Sequence, residues 1–183
     1  PLAQRVRPQI LEDYMGQQEL TDEKSLLNSA LQNNQPFSMI LWGPPGTGKT
    51  TLARIISHKF DAVFYELSAV SSGVAKVREV LANGEKCFEA GQRCILFIDE
   101  IHRFNKSQQD ALLHAVENGT IILIGATTEN PSFEVISPLL SRCRVLKLQS
   151  LSINALNEIL TRAINEDVKL SQSSISINDD ARE

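Results

Sequence analysis

Leu41-Trp42-Gly43-Pro44-Pro45-Gly46-Thr47-Gly48-Lys49-Thr50 is the stretch whose reading decides how this chain folds. An apolar segment, Ser38 to Trp42, runs into GPPGTGKT, and a helical pattern follows. The pattern is that of a phosphate-binding loop, G-x-x-x-x-G-K-[ST], with every defined position filled. Gly43, Gly46 and Gly48 let the backbone adopt positive φ and approach a ligand closely. Consecutive N–H groups then point inward as an anion-binding nest. The helix behind the loop adds the positive end of its dipole. Lys49 brings a mobile cation for the outer phosphates, and Thr50 a hydroxyl for the accompanying Mg²⁺. A plain glycine-rich turn is the competing reading. The filled positions and the flanking strand and helix weigh against it.

Bulk properties narrow the field. At 183 residues the chain can build one domain with a real core, or one domain and a small appendage. It is 42% hydrophobic and 22% charged, as a soluble globular protein would be. A net charge of −4 excludes binding nucleic acid through overall basicity, so any such contact needs a local patch. Cys87, Cys94 and Cys143 are scattered, which favours reduced thiols over a disulfide framework or a zinc site. No apolar run reaches membrane-spanning length and no signal peptide is visible, so the expected location is cytoplasmic, without membrane partners. The chain starts without Met and stops inside an apparent helix start at Ala181-Arg182-Glu183, and is read as part of a longer protein.

Outward from the loop, strands alternate with helices. Residues 1–18 read as extended or loop-like, because Pro8 biases Arg7 away from helix. Thr21 to Asn33 reads as a helix with Asp22 and Glu23 at its start. Behind the loop come a helix to Lys59 and a short strand, Ala62 to Leu67. Gly73 to Ala90 follows as a helix, with Asn83-Gly84 as a possible kink. Arg93 to Asp99 is nearly all apolar, as a strand buried on both faces of a parallel sheet should be. Asn105 and Gln108 form a capping-box pair opening a helix that Gly119 ends. Thr120 to Thr127 is another buried strand, 131–141 a loop with a short helix, and Arg144 to Leu148 the last strand. From Ser152 the style changes to an amphipathic helix with Ile153, Leu156, Ile159, Leu160, Ala163 and Ile164 on one face. A serine-rich stretch, Ser171 to Ser176, and a further helix start at Asp179-Asp180 close the chain. The expected fold is an α/β domain with a mostly parallel sheet flanked by helices, and a separate helical piece from about residue 152.

Four further features bear on the chemistry. Ile95-Leu96-Phe97-Ile98-Asp99-Glu100 ends a buried parallel strand in two acids, at the sheet edge where ligands bind. Asp99 there can hold Mg²⁺ through water, and Glu100 can act as general base on the attacking water. The strand ending in Thr127-Thr128-Glu129-Asn130 can send a hydroxyl or an amide to the γ-phosphate, or simply make a polar turn before Pro131. Arg142 lies just before the last strand. It reads either as a solvated surface arginine or as a finger reaching a neighbouring subunit's nucleotide. His102, Arg103 and Lys106 form a small basic cluster beside the acids, a solvated helix entry or a DNA contact.

Together, Gly43–Thr50, Ile95–Glu100, Gly125–Asn130 and Ser141–Cys143 resemble an AAA+ ATPase module of the P-loop NTPase class. More narrowly, the chain resembles the replication-associated recombination protein A family, which includes the Werner helicase interacting protein and maintenance-of-genome-stability proteins. LAQRVRPQILEDYMGQ (Leu2–Gln17), LSAVSSGV (Leu67–Val74), IHRFNKSQQ (Ile101–Gln109) and ATTENPSFE (Ala126–Glu134) carry that narrower resemblance.

The resemblance implies ATP or ADP as ligand with Mg²⁺, held by Gly43, Pro44, Pro45, Gly46, Thr47, Gly48, Lys49, Thr50 and Thr51. It implies Thr50 and Asp99 as metal ligands and Glu100 as water activator. Thr128 falls at the sensor position, with Asn130 competing, and Arg142 matches a finger acting in trans. Arg7, Pro8, Tyr14, Met15, Gly16 and Gln17 match the segment lining the adenine pocket. It implies residues 1–151 as the nucleotide-binding domain, with 1–35 an N-terminal segment and helix, and 152–183 as the start of a helical lid. For the whole protein it implies DNA-stimulated ATP hydrolysis at stalled or gapped replication forks, on single-stranded, gapped or forked DNA, and a homotetramer. Single-stranded DNA-binding protein and replisome components are implied partners. The alternatives are a clamp-loader-like assembly scaffold and a branch-migration motor subunit.

Overall fold

A computed structural model describes residues 2–167 and Leu170. Five strands, β1 (Met39–Trp42), β2 (Val63–Ser68), β3 (Cys94–Asp99), β4 (Ile122–Thr127) and β5 (Arg144–Lys147), form one sheet in the order β2-β3-β4-β1-β5. Every pairing is parallel. The helices are α1 (Leu2–Arg5), α2 (Gln18–Thr21), α3 (Leu26–Gln32), α4 (Lys49–Lys59), α5 (Val74–Glu89), α6 (Lys106–Glu117), α7 (Pro131–Glu134), α8 (Ser137–Leu140) and α9 (Ile153–Glu166). Single 3₁₀ turns stand at Leu11–Asp13 and Ile101–Arg103.

The near-continuous apolar strands are explained by burial on both faces. In β3, Cys94, Leu96 and Ile98 face one core with α5 and α6, while Ile95 and Phe97 face the other with α3 and α4. β4 alternates the same way, with Leu123 on the first face and Ile124 and Ala126 on the second. Each fully buried Leu, Ile or Phe contributes about 1.5–3 kcal/mol relative to exposure. The sheet is therefore stiff where its carboxyl edge must hold chemistry.

Several local expectations are corrected. The segment before Gln18 is not wholly loop: Leu2–Arg5 makes one helical turn. The first long helix does not begin at Thr21. Ser25 caps it, accepting from Asn28 N, and Asp22 belongs to the turn before it. The expected kink at Asn83-Gly84 is absent, and α5 runs unbroken through both. Gly84 is there for close approach instead: a β-carbon would stand 2.6 Å from Ile121 Cγ2. Gly84→Ala would gain about 1 kcal/mol of helix propensity and lose about 1–3 kcal/mol to overpacking. The expected result is a lowered urea midpoint, and a raised one would show that α5 can shift away from Ile121. The serine-rich stretch and the helix start at Asp179 lie outside the described residues.

The Asn105–Gln108 capping box is present in both directions, and Gly119 sits at φ 70° beyond the end of α6. Cys87, Cys94 and Cys143 are free thiols, with burial pushing Cys94 up to about 11. Among the described residues, no helix is long and apolar enough to cross a membrane.

Candidate functional site

The strand order determines what meets at the carboxyl edge. The loop after β1 carries the glycines and Lys49, and the tip of β3 carries the two acids. β4 lies between those strands, so Thr127 and Thr128 emerge between the loop and the acids. A cavity of about 610 Å³ opens there, lined by the loop from Pro45 to Thr51 and by Asp99, Glu100 and Thr128. That volume suits a nucleotide-sized ligand.

The loop is shaped from within. Gly46 and Gly48 take φ 75° and 90°, and Gly48 caps α4 in the left-handed region. Gly43 does not share that reason, contrary to expectation. A β-carbon on it would strike Leu148 O at 2.5 Å, so it is glycine because the exit of β5 passes so close. The Thr47 hydroxyl donates to Pro44 O at 3.0 Å and tightens the turn. Tyr14, 6% exposed, braces it from outside, its hydroxyl donating to Thr47 O at 3.1 Å. Burial pushes the Tyr14 phenol's pKa up, so it stays a neutral donor.

Lys49 folds back over the loop, its Nζ donating to Gly43 O at 2.7 Å and Pro44 O at 2.8 Å. Burial pulls the ammonium pKa down, and Asp99 and Glu100 raise it part of the way back. A buried cation held by two carbonyls beside left-handed glycines at a helix start is the donor set a polyphosphate requires. Thr50 and Asp99 on the same cavity are oxygen donors of the type Mg²⁺ takes. The residues present therefore fit both nucleotide and metal.

Glu100 sits at φ 57°, ψ 44°, a left-handed position costing about 1–3 kcal/mol for a non-glycine residue. From this position just past β3, Glu100 lines the cavity, with its Oε2 3.2 Å from His102 Nε2.

The remaining expected site residues divide. Arg7, Pro8, Tyr14 and Met15 line the cavity on its N-terminal side, and Thr128 on its β4 side. Asn130 does not: its side chain caps α7, accepting from Ser132 N at 3.0 Å. Gln17 is buried off the cavity, exchanging bonds of 2.7 and 2.9 Å with the Gln149 backbone. Gly16 lies under Leu151, whose Cδ2 would be 2.4 Å from a β-carbon there. Gly16 and Gln17 thus join the N-terminal segment to the β5 exit instead of lining the pocket. Arg142 does not line the cavity. It is ion-paired with Glu117 and donates to Pro138 O at 2.7 Å.

Sequence reasoning missed one wall. Leu151, Leu156, Ile159 and Arg162 complete the cavity from the side of α9. The apolar stripe of α9 reads in the sequence as one face of an amphipathic helix, with nothing to say what it faces. Ile153, Leu156 and Ile159 are 64%, 51% and 37% exposed, and only its Ala155 and Ala163 are buried. Arg162 to Asp13 at 2.8 Å and Arg5 to Asp167 at 2.6 Å tie α9 to the N-terminal segment across that wall. The basic cluster is also corrected. Arg103 and Lys106 are exposed, but the His102 side chain is only 9% exposed and turns inward toward Glu100.

Comparison with known proteins agrees with this geometry. The family described as "ATPase family associated with various cellular activities (AAA)" matches residues 39–151. Replication-associated recombination protein A of Escherichia coli (strain K12) is 52% identical over 169 residues, covering 92% of this chain and 38% of that protein. ATPase WRNIP1 of Dictyostelium discoideum is 45% identical over 181 residues, covering 99% of this chain and 21% of that protein. The chain thus spans well under half the length of these relatives. Among solved structures, the Thermotoga maritima RuvB Holliday junction branch migration motor superposes with a TM-score of 0.75 at 33% identity, covering 97% of this chain and 58% of that one.

Proposed function

This chain belongs to the AAA family of ATPases, and on that premise we propose that it is the ATP-hydrolysing module of a DNA-dependent ATPase acting in replication-associated recombination and repair. The observation that carries the reading is the convergence of Lys49, Asp99, Glu100 and Thr128 on one cavity. The likeness to replication-associated recombination protein A supports the process.

In this reading Lys49 leaves its carbonyl partners for the outer phosphates, and the loop amides hold the polyphosphate. Thr50 and Asp99 are the residues that would hold Mg²⁺, which would neutralise phosphate charge when bound. Glu100 takes the proton of the attacking water, giving ADP and phosphate. Thr128 orients the water or the γ-phosphate from the tip of β4, and we favour it over Asn130 because Asn130 is engaged as a helix cap. Arg7, Pro8 and Met15, with Leu151 and Leu156 opposite, are the proposed base pocket. Residues from 152 onward are the proposed start of a lid, in a protein acting in the cytoplasm as a homo-oligomer, with single-stranded DNA-binding protein and replisome components as proposed contacts.

The deciding experiment is phosphate release by the full-length protein with and without single-stranded and gapped DNA. Stimulation by DNA is expected, and its absence at low salt would remove DNA from the proposal. Arg103→Ala with Lys106→Ala should reduce that stimulation and flatten its salt dependence if these exposed cations meet phosphates. The likeness to the RuvB motor supports a second reading, branch migration. Stimulation confined to four-way junctions would favour it.

A further inference from the structure

We propose that His102 is a positioning residue that couples the tip of β4 to Glu100. The proposal rests on the reading of Glu100 as general base. His102 Nε2 faces Glu100 Oε2 at 3.2 Å, and its Nδ1 meets Thr127 Oγ1 at 3.0 Å. Thr127 is fully buried and the His102 side chain is 9% exposed, so water is a poor substitute for either partner. Thr127 is the last residue of β4, and Thr128, next in the chain, lines the cavity.

The chemistry of the groups orders the protons. An ionised carboxylate only accepts, so the nitrogen facing it, Nε2, carries hydrogen. In the neutral ring Nδ1 is then a lone pair and accepts a hydrogen bond from the Thr127 hydroxyl. That hydroxyl oxygen in turn accepts from Glu129 N at 3.0 Å, while its other possible acceptor, Glu129 O, is more distant at 3.3 Å. The polar line Glu129–Thr127–His102–Glu100 therefore runs from the strand tip to the base. Displacement of the β4 tip by a ligand against Thr128 is passed to the imidazole, and from it to the carboxylate. Glu100 is held from both ends, by its left-handed backbone and by this ring. A base misplaced by an ångström loses about 10²-fold in rate.

The test compares His102→Phe, His102→Gln, Thr127→Val and the Phe/Val double variant in the full-length protein. Phe keeps the bulk of the ring and loses both polar contacts. Val keeps the threonine shape without its hydroxyl. Each single change is expected to lower kcat about 10- to 100-fold and to leave affinity for a fluorescent ADP unchanged. The double variant should lose no more than the worse single one, because both cut the same line. His102→Gln, which returns a donor and an acceptor, should recover part of the rate. Independently of turnover, ¹⁵N NMR of the ligand-free protein should find the His102 proton on Nε2. This readout needs no variant and stands if His102→Phe proves unstable. Wild-type kcat in His102→Phe, additive losses in the double variant, or a proton on Nδ1 with bare Nε2 would overturn the coupling. Glu100→Gln separates the two ideas. If it hydrolyses ATP at the wild-type rate, the base assignment fails. If it is inert while His102→Phe turns over normally, only the coupling fails.

Discussion

Glu100→Gln is expected to lower ATP turnover by about 10²–10⁴-fold, the range for removing a positioned general base, while nucleotide binding persists. The two side chains are nearly isosteric, so the left-handed backbone at φ 57° and the cavity wall should be retained. Basicity is what the amide lacks. Binding should persist because, in the proposed reading, the polyphosphate would be gripped elsewhere, by the loop amides, Lys49 and the start of α4. The phenotype is therefore a trap, with ATP bound and not released as product. Asp99→Asn should behave differently. As the proposed metal ligand, Asp99 is expected to affect Mg²⁺-dependent affinity as well as rate. Phosphate release and equilibrium binding measured side by side give the answer. Equal phosphate release by wild type and Glu100→Gln would strip Glu100 of its role.

The sheet was legible because its strands obey a local rule. Ile95 to Ile98 is apolar without alternation, which only a doubly covered strand tolerates. The loop was legible because phosphate binding demands glycine and lysine at fixed spacing. The capping box at Asn105 was legible because both of its bonds span three residues. What was illegible depends on contacts far apart in sequence. Gly43 looked like its neighbours in the loop, yet Leu148 dictates it, and Gly84 looked like a helix break, yet Ile121 dictates it. His102 looked like part of a basic surface patch, because nothing local says that the 3₁₀ turn Ile101–Arg103 swings its ring under β4. The stripe on α9 had the periodicity of a buried face, and periodicity does not distinguish a core from the wall of a pocket. In each case the missing fact was a partner, and the β4 segment supplies two of them, Ile121 just before the strand and Thr127 at its end.

Arg142→Ala carries the largest expected effect, a loss of about 10³–10⁵ in kcat, the usual worth of an arginine finger. The proposed action is in trans. Arg142 lies past α8 and is not among the residues lining the cavity of its own chain, where its guanidinium is engaged by Pro138 O and Glu117. Its ion pair with Glu117 is no obstacle, since both side chains are more than a third exposed and such pairs are worth about 0–1 kcal/mol. A neighbouring subunit's triphosphate offers far more charge. It follows that the 183-residue chain on its own, if monomeric, should bind nucleotide and hydrolyse it slowly. The decisive measurement mixes two dead proteins. Arg142→Ala subunits keep an intact base and lack the finger, whereas Glu100→Gln subunits keep the finger and lack the base. Where the first type supplies the cavity and the second the arginine, a complete site forms, so the mixture should regain activity that neither has alone. Restoration should depend on total protein concentration and reach its maximum near equal proportions. If mixing restores nothing although the subunits co-assemble, or if Arg142→Ala turns over at the wild-type rate, Arg142 is a surface ion-pair partner of Glu117 and nothing more.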